Sequence, residues 1–508
     1  MQLSKKIVKD IQPAEGLVLP DEKLLSLPEK VLQFGTGVLL RGLPDYFIDK
    51  ANRQGIFNGR IVVVKSTASG GTDAFESQDG LFTLCVRGIE NGQEKQETIV
   101  NSSVSRVLNA ATAWKDILAC AANPGMQLII SNTTEVGIVL TDDDMHAAPP
   151  ASFPGKLLAF LYERYRVFKG AANSGMVIVP TELIVNNGDK LREIVLEQAR
   201  RHDLETSFID WLEQSNYFCN SLVDRIVPGK LSPADQEATT KQLGYTDDLM
   251  IMAETFRLWA IEASDDRVQE ILSFAAADEG VIIAPDIDKF RELKLRLLNG
   301  THTFSCGLAF LAGFTTVKEA MADEQMSVFV HNLMIQEMAR AVSNETISYS
   351  EACEFSARLL DRFRNPFLEH QWIAITLNYT SKMKMRNIPV LLRHYANTDK
   401  VPAHMALGFA AYLLFMNGKA VADNRFEGTL NGVNYPIQDD QAAYFAAKWE
   451  QAGNDATALV ESVLSDKEQW GTDLTQLPGF TQAVKNELES LQQKGAIETL
   501  RNAVLQKI

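Results

Sequence analysis

Four short apolar segments in the first 180 residues constrain the fold of this chain more than any other feature. Residues 30–34, 60–65, 127–131 and 176–180 each have strand length, are rich in β-branched side chains and show almost no polar alternation. A strand that is apolar on both faces suits a sheet covered on both faces. Helical patterns lie between these segments, for example at 43–54 and 111–121. Strands alternating with helices predict an α/β unit built on a parallel, doubly wound sheet.

From about residue 287 the strand signals fade. Residues 289–311, 316–342, 349–362, 403–417 and most of 459–507 read as helices. A chain of 508 residues is too long for one compact core. The pattern therefore predicts an α/β domain over 1–286 and an α-helical domain over 287–508, with Pro285 and Asp286 marking the change.

The formal net charge of −16 sets the partners apart. An acidic surface repels phosphate, so neither nucleic acid nor an anionic membrane is expected, and a small anionic substrate would need a local basic pocket. The five cysteines (85, 120, 219, 306 and 353) are odd in number and form no CxxC pair, which predicts reduced thiols and no structural zinc. The N-terminal residues lack the apolar stretch of a signal peptide. The longest apolar run, 405–416, falls well short of the ~20 residues that span a bilayer. A cytosolic protein is expected.

After the first strand comes Gly35-Thr36-Gly37-Val38-Leu39-Leu40-Arg41-Gly42. Two glycines one apart, at a strand-to-helix turn, let the backbone bend tightly and approach a pyrophosphate, and the helix that follows offers amide donors. Leu40 stands where GxGxxG would have its third glycine, so the fingerprint is incomplete. The second strand ends Val64-Lys65-Ser66-Thr67, where an NAD site usually carries an acid. A lysine there would suit a 2′-phosphate or be a solvated loop residue, so residue chemistry leaves NAD and NADP open.

Lys294, Asn299 and His302 share one broad face of a predicted α-helix, with Asn299 roughly 140° and His302 roughly 80° from Lys294. Ketone reduction needs a proton donor for oxygen and donors that stabilise the developing alkoxide. A lysine with a pKa lowered by burial can be the acid, an asparagine amide the oxyanion donor, and a histidine the holder of a substrate hydroxyl. A second amide, Asn187, follows the 176–180 strand, at the strand end where open α/β sheets bind ligands, although Asn187-Gly188 is also a turn signal. The seven histidines include no HxxxH or HExxH spacing, which gives no metal site, and neither a GxSxG elbow nor a Walker loop occurs.

These residues resemble the long-chain mannitol dehydrogenase family. Gln33-Phe34-Gly35-Thr36-Gly37 with Arg41, and Lys294, Asn299 and His302 at their spacing, carry the likeness. So do Ser131-Asn132-Thr133-Thr134-Glu135, Phe153-Pro154-Gly155-Lys156-Leu157 and Leu222-Val223-Asp224-Arg225-Ile226-Val227-Pro228. Arg362-Phe363-Arg364-Asn365-Pro366 with His370, and Lys382 with Arg386, complete a match that runs in order along nearly the whole chain.

The resemblance implies a Rossmann-type N-terminal domain, a helical C-terminal domain and an active site in the cleft between them. It implies Lys294 as general acid/base, Asn187 and Asn299 as the oxyanion pair, and His302 on a substrate hydroxyl, without a metal. Gln33, Phe34, Gly35, Thr36, Gly37, Val38, Leu39, Arg41, Lys65, Asn132 and Thr133 are the expected cofactor contacts. Asp224, Arg364, Lys382 and Arg386 are the expected substrate contacts, the cations serving a carboxylate.

Within the family, Pro180-Thr181-Glu182-Leu183-Ile184 and Tyr435-Pro436-Ile437-Gln438-Asp439-Asp440 resemble the tagaturonate-reducing branch, whereas mannitol dehydrogenases typically have Cys-Asp-Asn at 181–183. That branch implies NADH-dependent, reversible reduction of D-tagaturonate to D-altronate, with Lys65 as the feature that would suit NADP. The alternatives are fructuronate reduction, a mannitol-type polyol dehydrogenase or a nucleotide sensor without turnover. Oligomeric state is not readable from the sequence.

Overall fold

A computed structural model describes all residues except 68–70, 134–135 and 506–508. Thr134 and Glu135 of the motif above lie outside the described residues. The chain forms two compact units, one of Met1–Gly88 with Gln93–Ile287 and one of Ile89–Gly92 with Asp288–Ile508.

The centre of the first unit is a six-stranded sheet of β1 (Glu29–Phe34), β2 (Arg60–Lys65), β3 (Val104–Asn109), β4 (Leu128–Ser131), β5 (Val177–Pro180) and β6 (Tyr217–Phe218). All pairings are parallel and the order is β3-β2-β1-β4-β5-β6, the order of a Rossmann-type sheet. Val31, Ile61, Val63, Ile130 and Val179 bury one face; Leu32, Val62, Val64, Ile129 and Ile178 bury the other. Each such side chain contributes roughly 1.5–3 kcal/mol. Successive residues of one strand feed opposite cores, which is why the sequence shows apolar runs rather than alternation.

The sequence reading missed β3. It is an edge strand whose Ser105 and Arg106 are not fully buried, and Arg106 pairs with Glu29 at 2.9 Å, so its apolar pattern is broken. It also missed the strands of two smaller sheets in this unit, formed by Leu17–Val18, Gln93–Asn101, Phe82–Glu90 and Ile251–Glu254, and by Ser221–Asp224, Leu258–Glu262 and Val281–Ala284.

The second unit is helical, with one correction. Residues 419–437 carry three short antiparallel strands, Lys419–Ala420, Phe426–Leu430 and Val433–Ile437. The turn between the last two is Asn431-Gly432, both with positive φ (50° and 81°), a short hairpin signal that the helical reading passed over. The long apolar run lies in the helix Ala403–Phe415, which is almost wholly buried. The Glu337 carboxylate accepts the His404 and Met405 amides at its N-terminus, both at 2.9 Å. Among the described residues, no helix is long and apolar enough to cross a membrane.

Among the described residues, three stretches of the helical unit are π-helical: Lys294–Gly300, Asn332–Met338 and Met383–Asn387. The first joins Asp288–Leu293 to Thr301–Leu311, so the expected run over 289–311 is helical throughout but wound more loosely in the middle. Such turns are rare and concentrate at functional sites.

Candidate functional site

In the sheet unit, strand order reverses between β1 and β4, and open α/β sheets hold ligands at such a switch point. The loop after β1 starts at Gly35, whose φ of +129° is closed to ordinary side chains. A Cβ there would stand 2.8 Å from Leu40 Cδ1 and 3.0 Å from the Asn132 carbonyl. Leu40, in place of a third glycine, thus packs down on the first. Gly37 is exposed and precedes the short helix Val38–Gly42, and a Cβ added to it would meet no atom within 4 Å, so its backbone is open to a phosphate. The site's residues therefore fit a dinucleotide through backbone rather than side chains.

The loop after β4 lies against this turn: the Asn132 amide donates to the Phe34 carbonyl at 3.1 Å. Its anchor is Glu182, which the sequence reading used only as a branch marker. The buried Glu182 carboxylate accepts the Thr133 amide (2.9 Å), the Thr133 hydroxyl (3.0 Å) and the Ser131 hydroxyl (3.1 Å). Burial pushes its pKa up and those hydrogen bonds oppose the shift.

Several expected cofactor contacts support the loop from below. Gln33 and Phe34 are buried, Phe34 against Phe153 with ring centroids 5.1 Å apart. Arg41 is also buried, donating to the Leu249 carbonyl at 2.5 Å and lying over Phe75 and Phe82. It is a strut from the helix to the core. Thr36, Val38 and Leu39 are half-buried along the loop. Lys65 is not the solvated loop residue considered above; it is buried and its ammonium donates to the Thr67 carbonyl.

Asn187, expected as an oxyanion donor, is fully buried. Its amide nitrogen donates to the carbonyls of Pro180 (3.0 Å), Glu182 (3.0 Å) and Ser221 (3.1 Å), while its oxygen accepts the Gly188 and Ser221 amides. Both N–H groups are committed, so as placed it holds the strand-to-helix turn. Gly188 is required by close approach, since a Cβ there would stand 2.5 Å from the Cys219 carbonyl carbon. Asp224 is buried at the end of the strand Ser221–Asp224.

In the helical unit, Lys294 and Asn299 are both half-buried on the π turn Lys294–Gly300. A turn that closes bonds from residue i to i+5 brings the fifth residue back toward the face of the first. Asn299 is five residues after Lys294, the spacing that such a turn closes, where the sequence reading expected α-helical winding.

His302 follows on the next turn and is buried. Its ring stacks on Phe363 with centroids 4.1 Å apart and meets His370 edge-on at 5.2 Å. Its Nε2 is buried without a hydrogen-bond partner among the described residues. Burial first, then the fields of His370, Arg362, Arg386 and Lys382, hold its pKa well below the ordinary histidine range. Burial also lowers His370, with Arg362 and Lys382 adding to the shift, and Lys382, with Arg386 adding to it; Arg386 is lowered by burial alone. The ring is neutral at pH 7 and sits among guanidinium and ammonium groups.

Lys382 and Arg386 belong to this cluster, with Lys382 donating to the Ile375 carbonyl (2.9 Å) and Arg386 to the Thr303 hydroxyl (3.2 Å). Arg364 does not. It caps the helix Tyr349–Phe363 and is exposed, while Arg362, two residues earlier, is buried and acts on both His302 and His370. The sequence named both arginines in one motif, but only helix phase and packing tell which turns inward. Among the described residues, no group of three or more His, Cys, Asp or Glu side chains is placed to hold a metal ion.

Residues 29–271 match the mannitol dehydrogenase Rossmann domain and residues 286–492 the mannitol dehydrogenase C-terminal domain. An altronate oxidoreductase of Bacillus subtilis is 37% identical over 94% of this chain and 96% of its own length. One from Shigella flexneri is 36% identical over 93% and 96%. A Pseudomonas fluorescens mannitol 2-dehydrogenase, solved as a ternary complex with NAD and D-mannitol, shares the fold with TM-score 0.65 at 23% identity over the whole of both chains. A D-sorbitol dehydrogenase in substrate-free form shares it with TM-score 0.78 at 20% identity, over 98% of this chain and all of that one.

Proposed function

Because this chain belongs to the mannitol dehydrogenase family and is an oxidoreductase acting on CH–OH groups, we propose that it reduces D-tagaturonate reversibly to D-altronate with NADH. The observation that carries the reading is the cationic cluster of Arg362, Lys382 and Arg386 around a neutral, buried His302. In a chain of net charge −16, cations gathered in a half-buried site suit a substrate that carries a carboxylate. The near full-length altronate oxidoreductase relatives support the same reading.

When bound, the reduced nicotinamide supplies the hydride. Lys294 delivers the proton to the carbonyl oxygen, and the Asn299 amide donates to that oxygen as charge builds on it. The neutral His302 holds a substrate hydroxyl through Nε2, and Arg386 with Arg362 and Lys382 grips the carboxylate. In oxidation of altronate the same groups act in reverse, Lys294 receiving the alcohol proton. Gly35 to Leu39 with Asn132 and Thr133 hold the cofactor. Lys65, whose ammonium donates to the Thr67 carbonyl and keeps further N–H donors, is the residue that would serve NADP instead. Five cysteines without a disulfide suit a cytosolic setting.

The test follows absorbance at 340 nm with D-tagaturonate, D-fructuronate and D-fructose, each with NADH and with NADPH. Fast oxidation of NADH by tagaturonate is the expected result. A preference for fructuronate keeps the carboxylate grip and overturns the stereochemical assignment. A preference for fructose overturns the role given to the cations.

A further inference from the structure

Two of the three π turns are joined to each other by side chains that reach across to main-chain carbonyls. From the first turn, Arg296 Nη1 donates to the carbonyls of Met385 (2.5 Å) and Arg386 (3.0 Å) on the second. From the second, Asn387 Nδ2 donates to the Gly300 carbonyl (3.0 Å) on the first. A relay adds to this: Arg386 donates to the Thr303 hydroxyl at 3.2 Å, and that hydroxyl donates to the Asn299 carbonyl at 2.7 Å. Arg296 and Asn387 are buried, and Arg296 is itself aimed by Glu292, which also receives Arg393 at 2.7 Å. Each turn thus supplies a side-chain donor to main-chain carbonyls of the other.

The residues tied together are those that the proposed function uses. Asn299 shares its turn with Lys294 at the reacting carbonyl, and Arg386 stands at the carboxylate. We infer that Arg296, Asn387 and Thr303 are positioning residues that fix the span between the two ends of the substrate, so that gripping the carboxylate sets the carbonyl against Lys294 and Asn299. The inference rests on that reading of the site. It differs from simple packing in one respect: the cross-links run between the groups proposed for binding and those proposed for chemistry, so loosening them changes turnover and not only stability. A misplacement of 1 Å from such a change costs up to about 100-fold in rate.

The experiment uses the full-length enzyme with tagaturonate and with fructose as a ketose lacking the carboxylate. Arg296→Met keeps the apolar stem and removes the donors; it should lower kcat about 10–100-fold on both ketoses, with NADH affinity, set by the sheet unit, within about 2-fold of wild type. Arg296→Lys returns one donor and should recover most of the loss. Thr303→Val exchanges one hydroxyl for a methyl. It should raise KM for tagaturonate about 10-fold, leave KM for fructose nearly unchanged and lower kcat on both. Lys294→Ala is the control. If it is as active as wild type, the site reading falls and the inference with it. If it is inactive while Arg296→Met and Thr303→Val change only melting temperature, the positioning role alone is overturned. Should Arg296→Met fail to fold, Thr303→Val decides.

Discussion

The two units build their parts of the candidate site by opposite means. In the sheet unit a continuous turn, Gly35 to Leu39, presents backbone, and the side chains beneath it (Gln33, Phe34, Arg41 and Glu182) are buried supports. In the helical unit the proposed site is made of side chains from separated segments: Arg362 and His370, with Lys382 and Arg386, lie around the buried His302. A backbone site depends on the shape of a few local residues. A side-chain site depends on which turn of each helix faces inward, and a two-residue shift, as between Arg362 and Arg364, separates a buried cation from a solvated one. The units should therefore fail differently when perturbed.

The largest contrast is expected from Lys294→Ala. Loss of the proton donor should lower kcat about 10²–10⁴-fold, while NADH still binds, as read by its fluorescence. Loss of NADH binding in this variant would break the division of labour. Gly35→Ala is the mirror experiment. With φ at +129° and an added Cβ pressed on the Asn132 carbonyl, the loop is strained by about 1–3 kcal/mol. The cofactor Kd should rise by about 10-fold or more, with KM for the ketose at saturating NADH little changed.

Helix phase is tested by two charge reversals. Arg386→Glu should raise KM for tagaturonate about 10–100-fold and far more than for fructose. Arg364→Glu, on an exposed cap, should leave both within about 2-fold. Equal effects of the two reversals would mean that the cluster around His302 is not the carboxylate grip.

The smallest effect is on stability against pH. The unfolded chain protonates its histidines near pH 6.5, whereas folded His302 resists protonation because it is buried among cations. The unfolded state then binds more protons, so this contribution is intact above about pH 6.5 and is lost as pH falls from there toward the folded-state pKa. Relative to His302→Gln, the wild type should lose melting temperature between pH 7.5 and 5.5. A constant gap between the two proteins would contradict the assigned environment. In the sheet unit the opposite case is Asp45, fully buried beside Gln33, where burial pushes its carboxyl up to about 8. It is mostly protonated at pH 7, so Asp45→Asn should keep the melting temperature there within a few degrees.

Much of this molecule was legible because its signals are local. Strand length, β-branched content and the Gly35 and Gly37 spacing belong to contiguous residues, and they carried the parallel sheet and the loop at its switch point. Asn299 and Lys294 were visible as residue types, but not the π turn that carries both, because no propensity marks a helix held in looser winding by its neighbours. The same limit hid Arg362, Glu182 and the commitment of the Asn187 amide to three carbonyls.

The sequence alone determined the fold class and the chemical vocabulary of the site, since the hydrophobic period and residue type act at short range. Tertiary structure decided which of those residues are committed to the fold by burial and hydrogen bonds. Burial, hydrogen-bond partners and electrostatic field all come from segments distant in the chain, and only the folded packing brings them to one place.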